Sequence, residues 1–305
     1  MDIHRIHSDK AKLVEQHGPW ISHNIKLADD CYTIRPGYTG KGERAKRYLQ
    51  TIADIARRPF KDLRILDLAC GEGLYAIECA LHGADTVGIE GRLHNIAKGE
   101  FVKDVLGLDS LRFYQDDVRQ FSKEKYGEFD VILCCGILYH LREHDAIGLV
   151  HRIYDACRAF VILDTQFSVA PQVTITHDDK TYAGRVYREH YPNKSPAAIA
   201  EDVYASLDNM ESFWFTVPSL LNLFADAGFS SVHQIANPKA HDFDDRIAIL
   251  AMRNERENLL ALPELNVLTP DRWTEQSGNK LLHRSQRWYG PLIPYAQRIR
   301  NMFGR

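Results

Sequence analysis

The chain has 305 residues, 45% of them hydrophobic and 26% charged, which is long and apolar enough to bury a sizeable core without disulfide or metal staples. Its formal net charge of −3 gives no global electrostatic reason to expect a nucleic-acid partner, so a basic surface has to be sought locally. Cys31, Cys70, Cys79, Cys134, Cys135 and Cys157 form neither a C-x-x-C pair nor a secreted-domain framework; with a polar start and no run as long as a membrane span, a cytoplasmic protein with reduced thiols is expected.

Residues 1–60 read as a helical extension around a loop at 29–40, closed by a helix over 43–57. Short apolar runs at 64–68, 86–90, 110–114, 129–135 and 160–164 then alternate with helical patterns. That rhythm implies βαβ units and a doubly wound, Rossmann-like α/β fold whose mostly parallel sheet is buried on both faces. The rhythm breaks at about 166–215, a polar and aromatic stretch with Pro171, Pro192 and Pro196 that reads as an insertion after the fifth strand, placed as a cap. A helix over 219–227, stopped by Gly228, and two strands at 231–235 and 246–252 return to regular order. The two strands are expected as an antiparallel hairpin completing seven strands. The expected organisation is therefore an extension covering the cleft (1–60), a core (61–252) and an appendage (253–305).

The segment Leu66-Asp67-Leu68-Ala69-Cys70-Gly71-Glu72-Gly73 takes a strand through two glycines into an apolar helix, which lets backbone N–H groups approach a ligand. Taken alone, the spacing Gly71-x-Gly73-x-x-Ala76 also fits a nicotinamide dinucleotide. Glu90 ends the second strand, where its carboxylate can accept from both ribose hydroxyls of either cofactor class. Asp67 separates the two classes. A carboxylate there is out of place beside a pyrophosphate but suits a cofactor with a cationic amino group and no phosphate.

Tyr114-Gln115-Asp116-Asp117-Val118 follows the third strand, and the fourth runs Phe129-Asp130-Val131-Ile132-Leu133-Cys134-Cys135-Gly136 into Ile137-Leu138-Tyr139-His140. With these segments in order, residues 60–165 and the hairpin at 231–252 resemble the class I S-adenosylmethionine (SAM)-dependent methyltransferases. The resemblance implies SAM as cofactor. It implies that Asp67, Ala69, Gly71 and Gly73 hold the methionine end, Glu90 and Gly91 the ribose, and Asp117 with Val118 the adenine, with Cys135 also at the cofactor. The Gly136-Ile137-Leu138-Tyr139-His140 run is locally similar to the tRNA wobble-uridine carboxymethyltransferases, but the basic residues and RNA-facing amino-terminal region of that branch find no match in the sequence.

Methyl transfer needs alignment of an acceptor and exclusion of water, and a base only where the acceptor must lose a proton. His140, after the fourth strand, is the first candidate base and His23 the second; each could instead bond the loop backbone. Trp20 and Asn24, flanking His23, together with Tyr139, Arg185, Tyr187, His190 and Trp214, are candidate acceptor contacts. Phe213, Trp214 and Phe215 could equally anchor the insertion. No catalytic metal is expected, and the acidic run at 241–245 reads as a solvated turn. The tail bears Lys280, Arg284, Arg287, Arg298, Arg300 and Arg305 among aromatic residues, which suits RNA, an anionic membrane, a partner subunit or the chain's own acidic surface. O-methylation of a small molecule is the leading expectation; a tRNA-modifying enzyme and a non-catalytic SAM-binding regulator are the alternatives, and a homodimer is possible.

Overall fold

The structure, a computed structural model, describes residues 2–235, 245–255 and 272–275. Helix α1 (Ile3–His17) opens the chain, its amino end capped by the Asp2 carboxylate, which accepts from the His4 amide. A short antiparallel pair follows, β1 (Lys26–Ala28) and β2 (Cys31–Tyr32). Helix α2 (Gly42–Ala56) then buries Ala45, Tyr48 and Ile52, whose spacing of three and four residues puts them on one face.

From residue 64 strands and helices alternate as expected: β3 (Arg64–Leu68), α3 (Leu74–Leu81), β4 (Asp85–Glu90), α4 (Leu93–Leu106), β5 (Leu111–Gln115), α5 (Lys123–Tyr126), β6 (Phe129–Cys135), α6 (Glu143–Ala156) and β7 (Cys157–Gln166). The insertion holds β8 (Val173–His177), β9 (Lys180–Arg188), α7 (Pro196–Glu201) and β10 (Glu211–Phe215). Helix α8 (Val217–Ala227) and strands β11 (Ser231–Ile235) and β12 (Arg246–Met252) follow. The central sheet has seven strands in the order β11-β12-β7-β6-β3-β4-β5. Strands β3 to β7 run parallel, while β12 is antiparallel to both β7 and β11.

Two layers of apolar residues sandwich this sheet, and alternation along each strand sorts them. Leu66 and Leu68 of β3, Ile132 and Cys134 of β6, and Val161 and Leu163 of β7 enter one core. Ile65, Val131 and Leu133, and Phe160 and Ile162 enter the other. Because β3 has β4 on one side and β6 on the other, the chain order reverses there, and the crevice beyond the carboxyl ends of these strands is where such sheets bind ligands.

β7 is longer than the sequence suggests because its ends pair beyond the apolar run, Cys157 with Phe129 and Gln166 with Arg246. The insertion is a three-stranded antiparallel sheet, ordered β10-β9-β8. Tyr182, Phe213 and Phe215 join the first core and fasten the insertion to it, whereas Trp214, one residue out of phase, faces the other way. The acidic run at 241–244 and the basic tail lie outside the described residues. No described helix is long and apolar enough to cross a membrane.

Candidate functional site

A cavity of about 210 Å³ opens at the carboxyl edge of the sheet. Its floor is the loop 69–71 after β3; Glu90, Gly91 and Arg92 after β4, 116–119 after β5 and 135–141 after β6 contribute its sides. His23 and Lys41 close it from the amino-terminal extension, and residues 203–209 of the insertion form the remaining wall.

The loop is bent by left-handed backbone at Ala69 (φ +53°) and Gly71 (φ +57°). At Ala69 this conformation costs roughly 1 kcal/mol, a strain found most often at ligand sites. Glu90 is buried, and each carboxylate oxygen accepts a backbone N–H at 2.9 Å, one from Gly71 and one from Arg92. An ionised carboxylate has about four acceptor positions. Glu90 therefore fixes the loop and retains capacity for a ligand diol.

Asp67 and Gly73 sit beneath the cavity, outside its lining. Asp67, 1% exposed, accepts from the Ala76 amide at 3.1 Å, and burial pushes its carboxyl up to about 8. Gly73 (φ +89°) is required by packing: a Cβ there would stand 2.8 Å from the Phe113 ring. Of the two neighbouring aspartates, Asp116 is held by Lys125 and Tyr126, each at 2.6 Å. Asp117 caps the turn that carries Val118 and accepts from the Arg119 amide and guanidinium.

Arg119 continues across the cavity mouth to Asp208 at 2.7 Å, and Arg92 donates to the carbonyls of Asp202 (2.9 Å) and Ala205 (3.0 Å). These two arginines hold the 203–209 wall against the ends of β4 and β5. The sequence offers 206–209 only as part of a cap over the acceptor; the structure sets it beside Gly91, where a Cβ would lie 3.0 Å from Leu207. On the opposite side, Glu72 accepts backbone N–H groups of Ile21, Ser22 and His23 and pairs with the buried Lys98 at 3.4 Å. That latch seats the extension on the glycine loop. Arg92, Arg119, Glu72 and Lys98 escape sequence reasoning; a carboxylate between the two glycines is the one signal that hints at them.

His23 is buried against the loop, its Nδ1 accepting from the Leu74 amide at 3.3 Å. Burial first, and then the nearby Lys41 charge, lower its pKa well below the ordinary value, so it is neutral. Asn24 spends its amide within the loop, donating to the Arg35 and Tyr38 carbonyls and accepting from the Ile34 and Arg35 amides. Trp20 packs on Phe101, and His190 is buried with Nε2 on the Ser206 carbonyl. None of Asn24, Trp20 and His190 lines the cavity.

Tyr139, His140 and Cys135 do line it. His140 Nδ1 lies 3.0 and 3.1 Å from the two carboxylate oxygens of Glu189, whose side chain is 1% exposed. Glu189 also accepts from Ser212 Oγ (2.6 Å) and the Ser206 amide (2.9 Å). Burial raises its pKa, but these bonds, the one with His140 first, outweigh it and keep Glu189 below the usual carboxylate range. Behind Tyr139, Trp214 stacks on Tyr187 at 4.4 Å with the Arg185 guanidinium 4.1 Å from the indole, and its edge meets Tyr139 at 5.9 Å. Arg185, Tyr187 and Trp214 thus support the cavity wall from outside the lining.

The donor set suits an adenosine-bearing ligand, with an acceptor carboxylate for a diol at Glu90 and an apolar side chain at Val118 beside Asp117. The family profile described as "Methyltransferase domain" matches residues 41–234. A ubiquinone biosynthesis O-methyltransferase from Psychrobacter cryohalolentis is 27% identical over 177 residues, which are 56% of this chain and 57% of that protein. One from Azorhizobium caulinodans is 34% identical over 99 residues, 31% of this chain and 36% of that protein. The chain thus spans little more than half the length of the curated relatives it matches, or less. The N-terminal domain of EvdMO1, solved in the presence of SAH and D-fucose, superposes with a TM-score of 0.62 at 22% identity, covering 83% of this chain and 98% of that one, a likeness of fold. With the profile spanning most of the chain, the protein belongs to the methyltransferase domain family.

Proposed function

We propose that the protein methylates a hydroxyl of a small molecule, with His140 as the base. Bound in the cavity, SAM supplies an electrophilic methyl group. Glu90 would hold its ribose, the 69–71 loop its methionine end, and Val118 with Asp117 its adenine. The remaining work falls to the chain: to seat the acceptor, keep water out and take its proton.

The observation that carries the reading is the His140–Glu189 pair. An ionised carboxylate only accepts, so the proton between them sits on His140 Nδ1; His140 lines the cavity, and in the neutral ring that bond leaves Nε2 as the nitrogen able to take a proton. A hydroxyl proton passing to Nε2 would leave an imidazolium whose charge Glu189 balances. The Arg92 and Arg119 clamps and the Glu72 latch keep the 203–209 wall and the extension closed against bulk water. The curated relatives are named for O-methylation, and D-fucose, present with the EvdMO1 domain, is a small molecule rich in hydroxyls; both support the same class of acceptor.

The test is transfer of labelled methyl from SAM to a panel of hydroxylated small molecules and to tRNA. The His140→Ala variant is expected to lose about 100-fold or more in kcat while SAM affinity stays within about threefold, the range of one general base. Labelling of tRNA alone, or an unchanged kcat in the variant, would remove the reading.

A further inference from the structure

Charge in the acceptor half of the cavity does not balance. Lys41 stands at the amino end of α2, and Arg44 and Tyr48 follow on the same side of the helix. Together with Arg246 of β12 they converge on Asp164, near the end of β7. Asp164 is fully buried: the Tyr48 hydroxyl and Arg246 Nε donate to it, and Arg44 Nη1 lies 3.4 Å away. One carboxylate thus faces two guanidinium groups.

Lys41 adds a third cation. It lines the cavity, and its ammonium makes no hydrogen bond or ion pair among the described residues. Burial first, and then repulsion from Arg246 and Arg44, lower its pKa against the weaker pull of Asp164 and Glu72. The nearby carboxylates are engaged elsewhere or neutral: Glu72 pairs with Lys98, Asp245 with Arg185 at 3.4 Å, and Asp67 holds its proton near neutral pH. Arg246 Nη2 and the Tyr139 hydroxyl lie 3.7 and 3.9 Å from one point above Gly136, a cavity residue. The Tyr139 phenol and the Lys41 side chain line the cavity, and the Arg246 guanidinium, outside the lining, lies 5.5 Å from the Tyr139 ring and reaches toward Gly136. Uncompensated charge in such a setting is costly unless a ligand supplies the opposite sign.

We propose that Lys41, Arg246 and Tyr139 form an anion subsite in the acceptor half of the cavity, and that the acceptor carries a carboxylate or phosphate beside the hydroxyl that is methylated. The proposal deepens the O-methylation reading and rests on it. Arg44 and Asp164 orient the subsite without filling it, because Asp164 fixes the Arg246 guanidinium through Nε and leaves Nη2 toward Gly136.

The experiment is calorimetric titration of the protein loaded with S-adenosylhomocysteine, using acetate, inorganic phosphate and neutral acetamide at constant ionic strength. At least one anion is expected to bind about tenfold or more tightly than acetamide, the factor of a modest desolvated charge pair. Preference for acetate would mark a carboxylate acceptor, and preference for phosphate a phosphorylated one. Lys41→Met should abolish the preference and Lys41→Arg retain it.

Anions binding no better than acetamide, or equally well to Lys41→Met, would overturn the subsite. So would an outcome in which Lys41→Met weakens S-adenosylhomocysteine but not methylthioadenosine and no anion preference exists, because Lys41 would then serve the cofactor's own carboxylate. Failure of the native protein to bind S-adenosylhomocysteine would defeat the cofactor reading as well. Cofactor binding without anion preference defeats the subsite alone.

Discussion

Replacing Asp67 by Asn should stabilise the ligand-free protein, and by an amount that grows with pH. Asp67 is 1% exposed and accepts the Ala76 amide, a bond that an amide oxygen can also accept. Burial above all, with the Glu90 charge adding to it, raises its carboxyl to about 8, against the opposing pull of Ala76 and Lys41. A folded-state pKa above the unfolded one means that the native chain keeps a proton that the unfolded chain has released. The stabilising contribution is complete below the unfolded pKa and is lost as pH rises toward the folded one. For one proton the slope is about 1.4 kcal/mol per pH unit, so the native protein should lose about 2–3 kcal/mol relative to Asp67→Asn between about pH 5 and about pH 7. Urea unfolding of both proteins at the two pH values, extrapolated to water, measures the gap. A gap of the same size at both would refute the argument, since it would mean that Asp67 is ionised in the folded state.

Three further outcomes follow from the cavity. Glu90→Gln keeps the shape of the side chain but sets an amide N–H against the Gly71 or Arg92 N–H and removes the charge toward the ribose; at about 1.5–3 kcal/mol per charged hydrogen bond, SAM affinity should fall about 30-fold or more by calorimetry. Arg92→Met frees the Asp202 and Ala205 carbonyls, so the dissociation rate of S-adenosylhomocysteine in stopped flow should rise about tenfold, with faster amide exchange over 203–209. An unchanged dissociation rate would mean that this wall does not retain the cofactor. Glu189→Gln can present an N–H to His140 Nδ1 and reverse the tautomer, so nitrogen NMR should find the proton moved to Nε2, with a loss of kcat approaching that of His140→Ala; a native tautomer in the variant would separate Glu189 from the base.

The sequence by itself determined the sheet. Apolar runs of strand length, separated by helical patterns, can be buried only between two layers of helices, and the observed strands lie within a few residues of the expected ones. It also identified the positions that carry backbone to the cleft, since Gly71, Glu90 and the 116–118 turn mark strand ends by residue type alone. What it left open depends on groups brought together from far apart in the chain. Gly73 looks like a ligand glycine, yet the Phe113 ring that requires it comes from two strands later. Asn24 looks available, yet its amide is consumed by its own loop. His140 could be a base or a loop brace, and only the fold sets the buried Glu189 49 residues away against Nδ1. The arginine clamps, the Glu72 latch and the cation cluster around Asp164 likewise join distant segments. Periodicity reports which face of an element is buried, whereas the partner of a polar side chain is fixed only when the tertiary structure closes the distance.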